Sequence, residues 1–370
     1  MNPSVSKYSE EGDVYKFTLS GVNVSLANAI RRTILSDIPI VGIYTENNDK
    51  TQCNMKTNTT RLHNEILKHR LSCIPIHMKD LDVLPGKYTL ELDMQNDTDN
   101  MIIVTTENFR IKNKSNDNYL TKEEVRKIFP PHPKINTYID FARLRPRIGD
   151  NIPGEQLTFS AEFSIRTAKE NSMYNVVCKC AYGNTLDTEK SQTAWQEQED
   201  KLKQTEGATK EDIQFQKDNF YVLDAQRHFV TDSFDFVLQT VGIYTNVEIM
   251  NKACVILQDK LAAFMQALDS DIIPILHSET TMENCYDIVL ENEDYTLGKV
   301  LEYLLYKKYY ENEKIFTFCG FKKFHPHNDD STIRIAYENP TDKHMLAQHL
   351  RTVAGEARDI FGKIRTFFQL

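Results

Sequence analysis

The chain has 370 residues, 40% hydrophobic and 26% charged, enough for two or three domains with cores of their own. Its 53 acidic residues outnumber 44 basic ones, a net charge of −9 that argues against a free-standing nucleic-acid binder, whose footprint is a basic face. No apolar run approaches a bilayer span, and the opening MNPSVSKYSEEGD lacks the apolar region of a secretory signal, so an intracellular protein without membrane contact is expected.

In chain order, Val14 to Leu19 alternates as a half-buried strand does. VSLANAIRRTILSDIP (24–39) follows as a short helix, with Leu26, Ile30 and Ile34 forming an apolar stripe and Asn28, Arg31 and Arg32 crowding the rest. Ser25 stands where its N-cap is wanted. From 45 to 160 strand-like runs such as KYTLEL and MIIVTT alternate with polar or Pro-rich loops, DMQNDTDN, NKSNDNYL and FPPHPK. Residues 184–219 are polar and partly helical, hold the single tryptophan, Trp195, and read as a solvated excursion. An amphipathic helix over 246–268 carries Ile249, Ala253, Leu257, Leu261, Phe264 and Leu268, with Asn246 as its cap. A link, 269–283, leads to a second strand and short helix over 284–301. The last helix, 340–368, carries Leu346, Leu350, Val353, Ala357, Ile360, Ile364 and Phe368, with Pro340 in its first turn and Asp342 near its positive end.

The chain repeats itself. DVYKFTLSGVNVSLANAI (13–30) matches NCYDIVLENEDYTLGKVL (284–301) at a constant offset of 271: Tyr15 falls on Tyr286, Leu19 on Leu290, Ser25 on Thr296 and Leu26 on Leu297. Each half ends in a helix of about 35–40 Å at 1.5 Å per residue. Such a helix cannot bury its stripe alone, and the economical solution packs the two halves through their helices about an approximate two-fold axis. The expected fold is α+β: two related modules packed as an intramolecular pseudo-dimer through the long helices, the first carrying a mainly β insertion. The first module comprises 1–44 and 161–268, the insertion 45–160, the link 269–283 and the second module 284–370. The interface is expected at Leu26, Ile30, Ile34, Leu257, Leu261, Phe264, Leu297, Leu301, Leu350, Ile360 and Ile364.

Seven cysteines, an odd number, suggest reduced thiols; Cys178 and Cys180 would share a strand face, but no second pair completes a zinc quartet, so neither a metal nor a cofactor is expected.

VNVSLANAIRRTILSDIPIVGI (22–43) resembles the signature of the alpha subunit of bacterial RNA polymerase and the third-largest subunit of eukaryotic RNA polymerase II. NTTRLHNEILKHRLSCIPI (58–76) is similar to that family's next block, and FVLQTVGIYTNVEIMNKACVILQDKL (236–261) to its closing strand and long helix. LENEDYTLGKVLEYLLYKK (290–308) and FCGFKKFHPHNDDSTIRI (318–335) resemble the small eleventh subunit. The resemblance implies a single-chain fusion of two assembly-platform subunits that are normally separate, as in large DNA viruses. It implies a non-catalytic role: binding the two large catalytic subunits, beside the small ones, and so supporting transcription. Neither direct nucleic-acid contact nor a homodimer is required. An intracellular location, in host cytoplasm or nucleus, and packaging in a virion follow. Carried over as large-subunit contacts are Asn28, Arg31, Arg32, Glu65, His69 and Arg70.

There are departures from the family pattern. No cysteine occurs between Pro75 and Cys178, so the eukaryotic zinc loop is absent; IRTAKENSMYNVV (165–177) replaces a Gly- and His-containing block; and Lys299 stands where Asn is usual. For Glu65, His69 and Arg70 a local ion pair is the plainer reading. The rival function is a metal-dependent hydrolase using His325, His327, Asp329 and Asp330, with a free-standing dimeric adaptor a further alternative. Glu291, Glu293 and Asp294 read as acidity at a helix start, and no phosphate-binding loop, zinc-protease His pair or nucleophile elbow occurs.

Overall fold

A computed structural model of the chain describes residues 1–46, 51–149, 151–204, 209–278 and 282–369. Parts of the expected insertion (47–50 and 150), of the polar excursion (205–208) and of the link (279–281) therefore lie outside the described residues. The elements begin with β1 (Ser4–Glu11), β2 (Val14–Ser20), α1 (Val24–Ser36), β3 (Ile40–Gly42), β4 (Cys53–Asn58), α2 (Asn64–Ser72), β5 (Tyr88–Gln95), β6 (Ile102–Thr105), β7 (Arg110–Asn113) and α3 (Lys122–Ile128). There follow β8 (Asp140–Leu144), β9 (Gln156–Glu162), β10 (Ser164–Arg166), β11 (Val177–Leu186), α4 (Thr188–Gln204), α5 (Lys210–Val222), β12 (Phe229–Thr240) and α6 (Asn246–Asp269). The last are β13 (Ile275–His277), β14 (Cys285–Leu290), α7 (Tyr295–Leu305), β15 (Phe316–Lys322), β16 (Ser331–Tyr337) and α8 (Lys343–Thr366). They form two compact units: Met1–Thr33 with Lys179–Gln239 and Met250–Leu370, and Ile34–Cys178 with Thr240–Ile249.

The first unit holds two four-stranded sheets of the same strand order, β1-β2-β12-β11 and β13-β14-β16-β15. Matching elements keep the offset read from the sequence: β1 and β13 start at 4 and 275, β2 and β14 at 14 and 285, α1 and α7 at 24 and 295, each 271 apart. The turn between strand and helix has a left-handed residue at matched places, Gly21 (φ 73°) and Asn292 (φ 56°). Gly21 is further constrained, because a Cβ there would lie 2.3 Å from the carbonyl oxygen of Asn2. A second offset, 97, relates the closing strand and long helix. Leu19 pairs with Phe234 and Leu290 with Ser331, and α6 and α8, each 24 residues, start at 246 and 343.

Helix caps repeat as well, and they correct the expectation. Asn23, not Ser25, caps α1 by accepting from the Ser25 amide (2.9 Å), while Asp294, not Thr296, caps α7 through the Thr296 amide (2.9 Å). The cap of α6 is Thr245, not Asn246: Thr245 Oγ1 accepts from the Glu248 amide (3.2 Å), and Glu248 accepts from the Thr245 amide (2.8 Å). Asp342 caps α8 through the Met345 amide (2.8 Å), so Pro340 precedes the helix instead of opening it.

α6 and α8 run antiparallel against each other. Asn251 Nδ2 donates to the Phe368 carbonyl (3.1 Å), Gln258 Nε2 to the Arg358 carbonyl (3.4 Å), and Arg351 pairs with Asp269. Phe368, just past α8, meets Phe17 of β2 edge-on at 5.3 Å, and Phe17 stacks on Phe236 of β12 at 5.1 Å. Between β11 and β12 stands a helical hairpin, α4 and α5. Trp195, expected in a solvated excursion, is buried there in a small core with Phe220 and Ala225.

The second unit is mainly β, with sheets β4-β9-β5-β7, β6-β8 and β3-β10 and helices α2 and α3. Its core gathers Leu67, Leu71, Leu90, Phe109, Phe141 and Phe159, the Phe109 ring lying edge-on to Phe129, Phe141 and Phe159. β9 carries this sheet past residue 160, so the expected insertion boundary falls inside a strand: Thr89 pairs with Glu162. The 165–177 segment has a structural occupation, since Tyr174 is fully buried and donates its hydroxyl to the Ile43 carbonyl at 3.1 Å. Cys178 is exposed and Cys180 buried, two residues apart in β11.

Candidate partner-binding surface

α1 forms because its apolar residues recur at helical spacing beyond a cap. Leu26, Ala27, Ala29, Ile30 and Ile34 are all buried, which leaves Asn28, Arg31 and Arg32 on the partly exposed side. The two arginines do different things. Arg31 folds back along its own helix, and both Nε (3.0 Å) and Nη2 (2.9 Å) donate to Asn28 Oδ1. Its charge lies near β11, where burial pushes the Cys180 thiol up to about 12 against the opposing pull of Arg31. Among the described residues no carboxylate pairs with Arg31, so its charge is positioned without being neutralised.

Arg32 is engaged within its own chain, an occupation that the expectation of a large-subunit contact for both arginines does not include. Nε donates to Thr296 Oγ1 (2.9 Å) and Nη2 to the Asp294 carboxylate, so Arg32 joins α1 to the start of α7. Burial alone would raise the Asp294 carboxyl, but hydrogen bonds from Thr296 and the Arg32 charge outweigh it and hold the group below the ordinary carboxylate range. A carboxyl depressed on folding adds stability above its unfolded value, and that stability is lost as pH falls through the folded one. Asp294→Asn keeps the capping oxygen and removes the charge. Its deficit in urea midpoint against the wild type is expected near neutrality, should begin to shrink below about pH 4, and should vanish only once pH has fallen past the depressed folded value. A deficit independent of pH would refute a contribution from the charge.

On α7, positions 271 further along reverse the polarity of the Asn28–Arg31 pair: Lys299 Nζ lies 2.6 Å from Glu302 Oε2. The unexpected Lys299 is thus half of an i,i+3 ion pair.

α2 buries Leu67 and Leu71 and presents Glu65, His69 and Arg70 to solvent, with Ile66 45% exposed among them. The turn leading into α2 is built by Asn58, whose amide donates to the Leu62 carbonyl (2.8 Å) and to Asn64 Oδ1 (2.7 Å), while its Oδ1 accepts from the Thr60 amide (3.0 Å). Arg70 Nη2 donates to the Asp140 carbonyl at 2.8 Å, which fixes its course over β8. Among the described residues Glu65 makes no ion pair with His69 or Arg70, so the local-pair reading has no contact behind it. The sequence held the Asn-Thr block as a pattern; Asn58 as the organiser of the turn was not foreseen.

All eleven expected interface residues are buried, Ile34 within the second unit and the other ten within the first. The His325–Asp330 stretch forms a tight turn in which His325 Nδ1 accepts from the His327 amide (3.1 Å). Among the described residues no three His, Cys, Asp or Glu side chains gather as metal ligands, and the hydrolase reading finds no support. No helix among them is long and apolar enough to cross a membrane.

Sheets repeated in strand order, matched in register between β2–β12 and β14–β16 and each followed by a capped 24-residue helix, define a duplicated α+β protein. The RNA polymerase Rpb3/Rpb11 dimerisation domain matches residues 16–261, and the chain belongs to that family. It is 36% identical over 88 residues to the DNA-directed RNA polymerase subunit Rpo3 of Pyrococcus furiosus, covering 22% of this chain and 31% of that protein. Over 80 residues it is 34% identical to the DNA-directed RNA polymerase II subunit RPB3 of Schizosaccharomyces pombe, covering 21% and 25%. A third relative, the DNA-directed RNA polymerases I and III subunit rpac1 of Dictyostelium discoideum, is 31% identical over 91 residues, covering 25% and 23%. The matches thus span about a third or less of the curated relatives' length.

Proposed function

We propose that the chain is a non-catalytic assembly platform of a DNA-directed RNA polymerase, in which two dimerisation modules pair within one polypeptide. The observation that carries this reading is the contact of α6 with α8 in a chain whose strands and helices repeat at offsets of 271 and 97. A dimerisation family requires a partner copy, and here the second module supplies one at high effective concentration. In this reading the chain up to residue 268 holds the first module with its inserted domain, 284–370 forms the second and 269–283 the link. The ten expected interface residues that are buried in the first unit make the pairing core, so no homodimer is needed.

The platform holds the two large catalytic subunits, alongside the small ones, and has no duplex-binding role of its own. Arg31 with Asn28, and Glu65, His69 and Arg70 on α2, are the large-subunit contacts; Arg32 serves the pairing instead. A positioned, unneutralised guanidinium suits an interface, because its planar fork meets carboxylates or carbonyls in pairs. A large DNA virus as source, action in host cytoplasm or nucleus, and carriage in the virion belong to the same reading. They rest on the two resemblance blocks lying in one chain.

The test is a tagged purification from cells in which the protein normally works. The two large polymerase subunits should accompany the wild type and fall roughly tenfold with Arg31→Ala/His69→Ala, a pair whose loss leaves the cores intact. Equal recovery with both would remove these side chains from the contact surface. Absence of polymerase subunits from the wild type would end the platform reading.

A further inference from the structure

The helical hairpin between β11 and β12 has no counterpart in the second module. Between Leu186 and Phe229 lie 42 residues, whereas the matching connection between Lys322 and Ser331 has 8. The fold therefore closes without the hairpin. Yet the hairpin is built with care: Thr209 and Asp212 form a capping box at the start of α5, and Trp195, Phe220 and Ala225 form a core beneath it. Ordering so many residues costs conformational entropy that the sheet itself does not repay.

The outer face of α5 shows what the hairpin offers. Phe215 is 64% and Val222 65% exposed, and, seven residues apart, they lie within about 20° of each other on the helix. Leu223, also 65% exposed, extends the patch past the helix end. Glu211, Asp212 and Asp218 fall within about 60° of Phe215, while Lys210 and Lys217 fall about 140° or more away. Large apolar side chains set in a ring of one charge are the surface of a docking helix. Such a ring repels nucleic acid, and it repels a second copy of a chain with net charge −9.

We propose that α5 docks, through Phe215 and Val222, into an apolar cleft on a different polypeptide whose rim carries basic side chains, lysines among them. This docking is independent of which assembly the chain serves.

The full chain, tagged in the cells where it works, is treated with a reagent that couples carboxylates to neighbouring lysine amines, and the joined peptides are identified by mass spectrometry. Glu211, Asp212 or Asp218 should be joined to lysines of another polypeptide. Those joins should fall roughly tenfold or more in Phe215→Ser/Val222→Ser. The double variant should keep the wild-type unfolding midpoint, since both side chains are exposed. Three results would overturn the proposal: joins to a second copy of this chain, no joins from this face, or joins undiminished in the double variant.

Discussion

Phe361→Ala is expected to lower the free energy of unfolding by about 3–5 kcal/mol, the usual range for emptying a buried phenylalanine site. Phe361 is fully buried on α8, and its counterpart 97 residues earlier, Phe264, is buried on α6. The two helices meet along their length, with Gln258 against Arg358 near the middle and Asn251 against Phe368 towards one end, so neighbouring backbone is held and cannot collapse into the void. Urea unfolding followed by circular dichroism reads the effect. Because both helices belong to one chain, the midpoint should not move with protein concentration, as it would for separate subunits. A loss below about 1 kcal/mol would mean that the site relaxes, contrary to the packing described.

Gly154→Ala should be the second severe change, and its effect should centre on the second unit. A Cβ at Gly154 would lie 1.7 Å from the carbonyl oxygen of Asn96 and 2.8 Å from its carbonyl carbon, so backbone must move. Asn96 is fully buried and has little room to yield. Its side-chain amide donates to the carbonyls of Leu144 and Asn100 (2.8 Å each), its Oδ1 accepts from the Thr98 amide (3.0 Å), and its own amide donates to the Glu155 carbonyl (2.9 Å). Overpacking of this kind costs about 1–3 kcal/mol, and each buried polar group stripped of its partner adds a similar amount. Hydrogen exchange should show lost protection in β5, β8 and β9, with the α6–α8 region retaining its own. Asn96→Ala should expose the same amides, and the double variant should be little worse than either single one, because both break one network. Exchange unchanged in these strands would refute the clash.

The parts of the fold that the sequence declared are those with a period. The stripe of Leu26, Ile30 and Ile34, the two long helices and the 271-residue repeat were all readable, because burial of one helix face requires apolar residues at intervals of three and four. In α1 and α7 the caps stand two residues before the positions the sequence suggests. A cap stands outside the helix and reaches back to an amide further in, so Ser25 and Thr296, already helical, looked like the polar residue before the stripe while Asn23 and Asp294 filled that role. The expected boundary at 160 falls inside β9 for a related reason: β9 pairs with β4 and β5, and pairing across about 60 to 110 residues leaves no local mark.

Within the candidate surface, residue types were readable and their directions were not. Arg31 and Arg32 are adjacent and chemically identical, yet one lies along its own helix and the other reaches 262 residues ahead to Asp294. Trp195 sat in a run polar enough to suggest exposure; only the return of α5 gives its ring the Phe220 face, 5.5 Å away between centroids.

The sequence alone determined that the chain is a duplicated α+β protein with long amphipathic helices and an acidic balance, since periodicity and composition are local properties that each segment carries with it. Tertiary structure decided which of two neighbouring arginines reaches the start of α7, which strands pair with β9 and which face of the hairpin is left to solvent. Those outcomes depend on contacts between residues far apart in the chain, and their energies exist only once folding has brought the partners within reach.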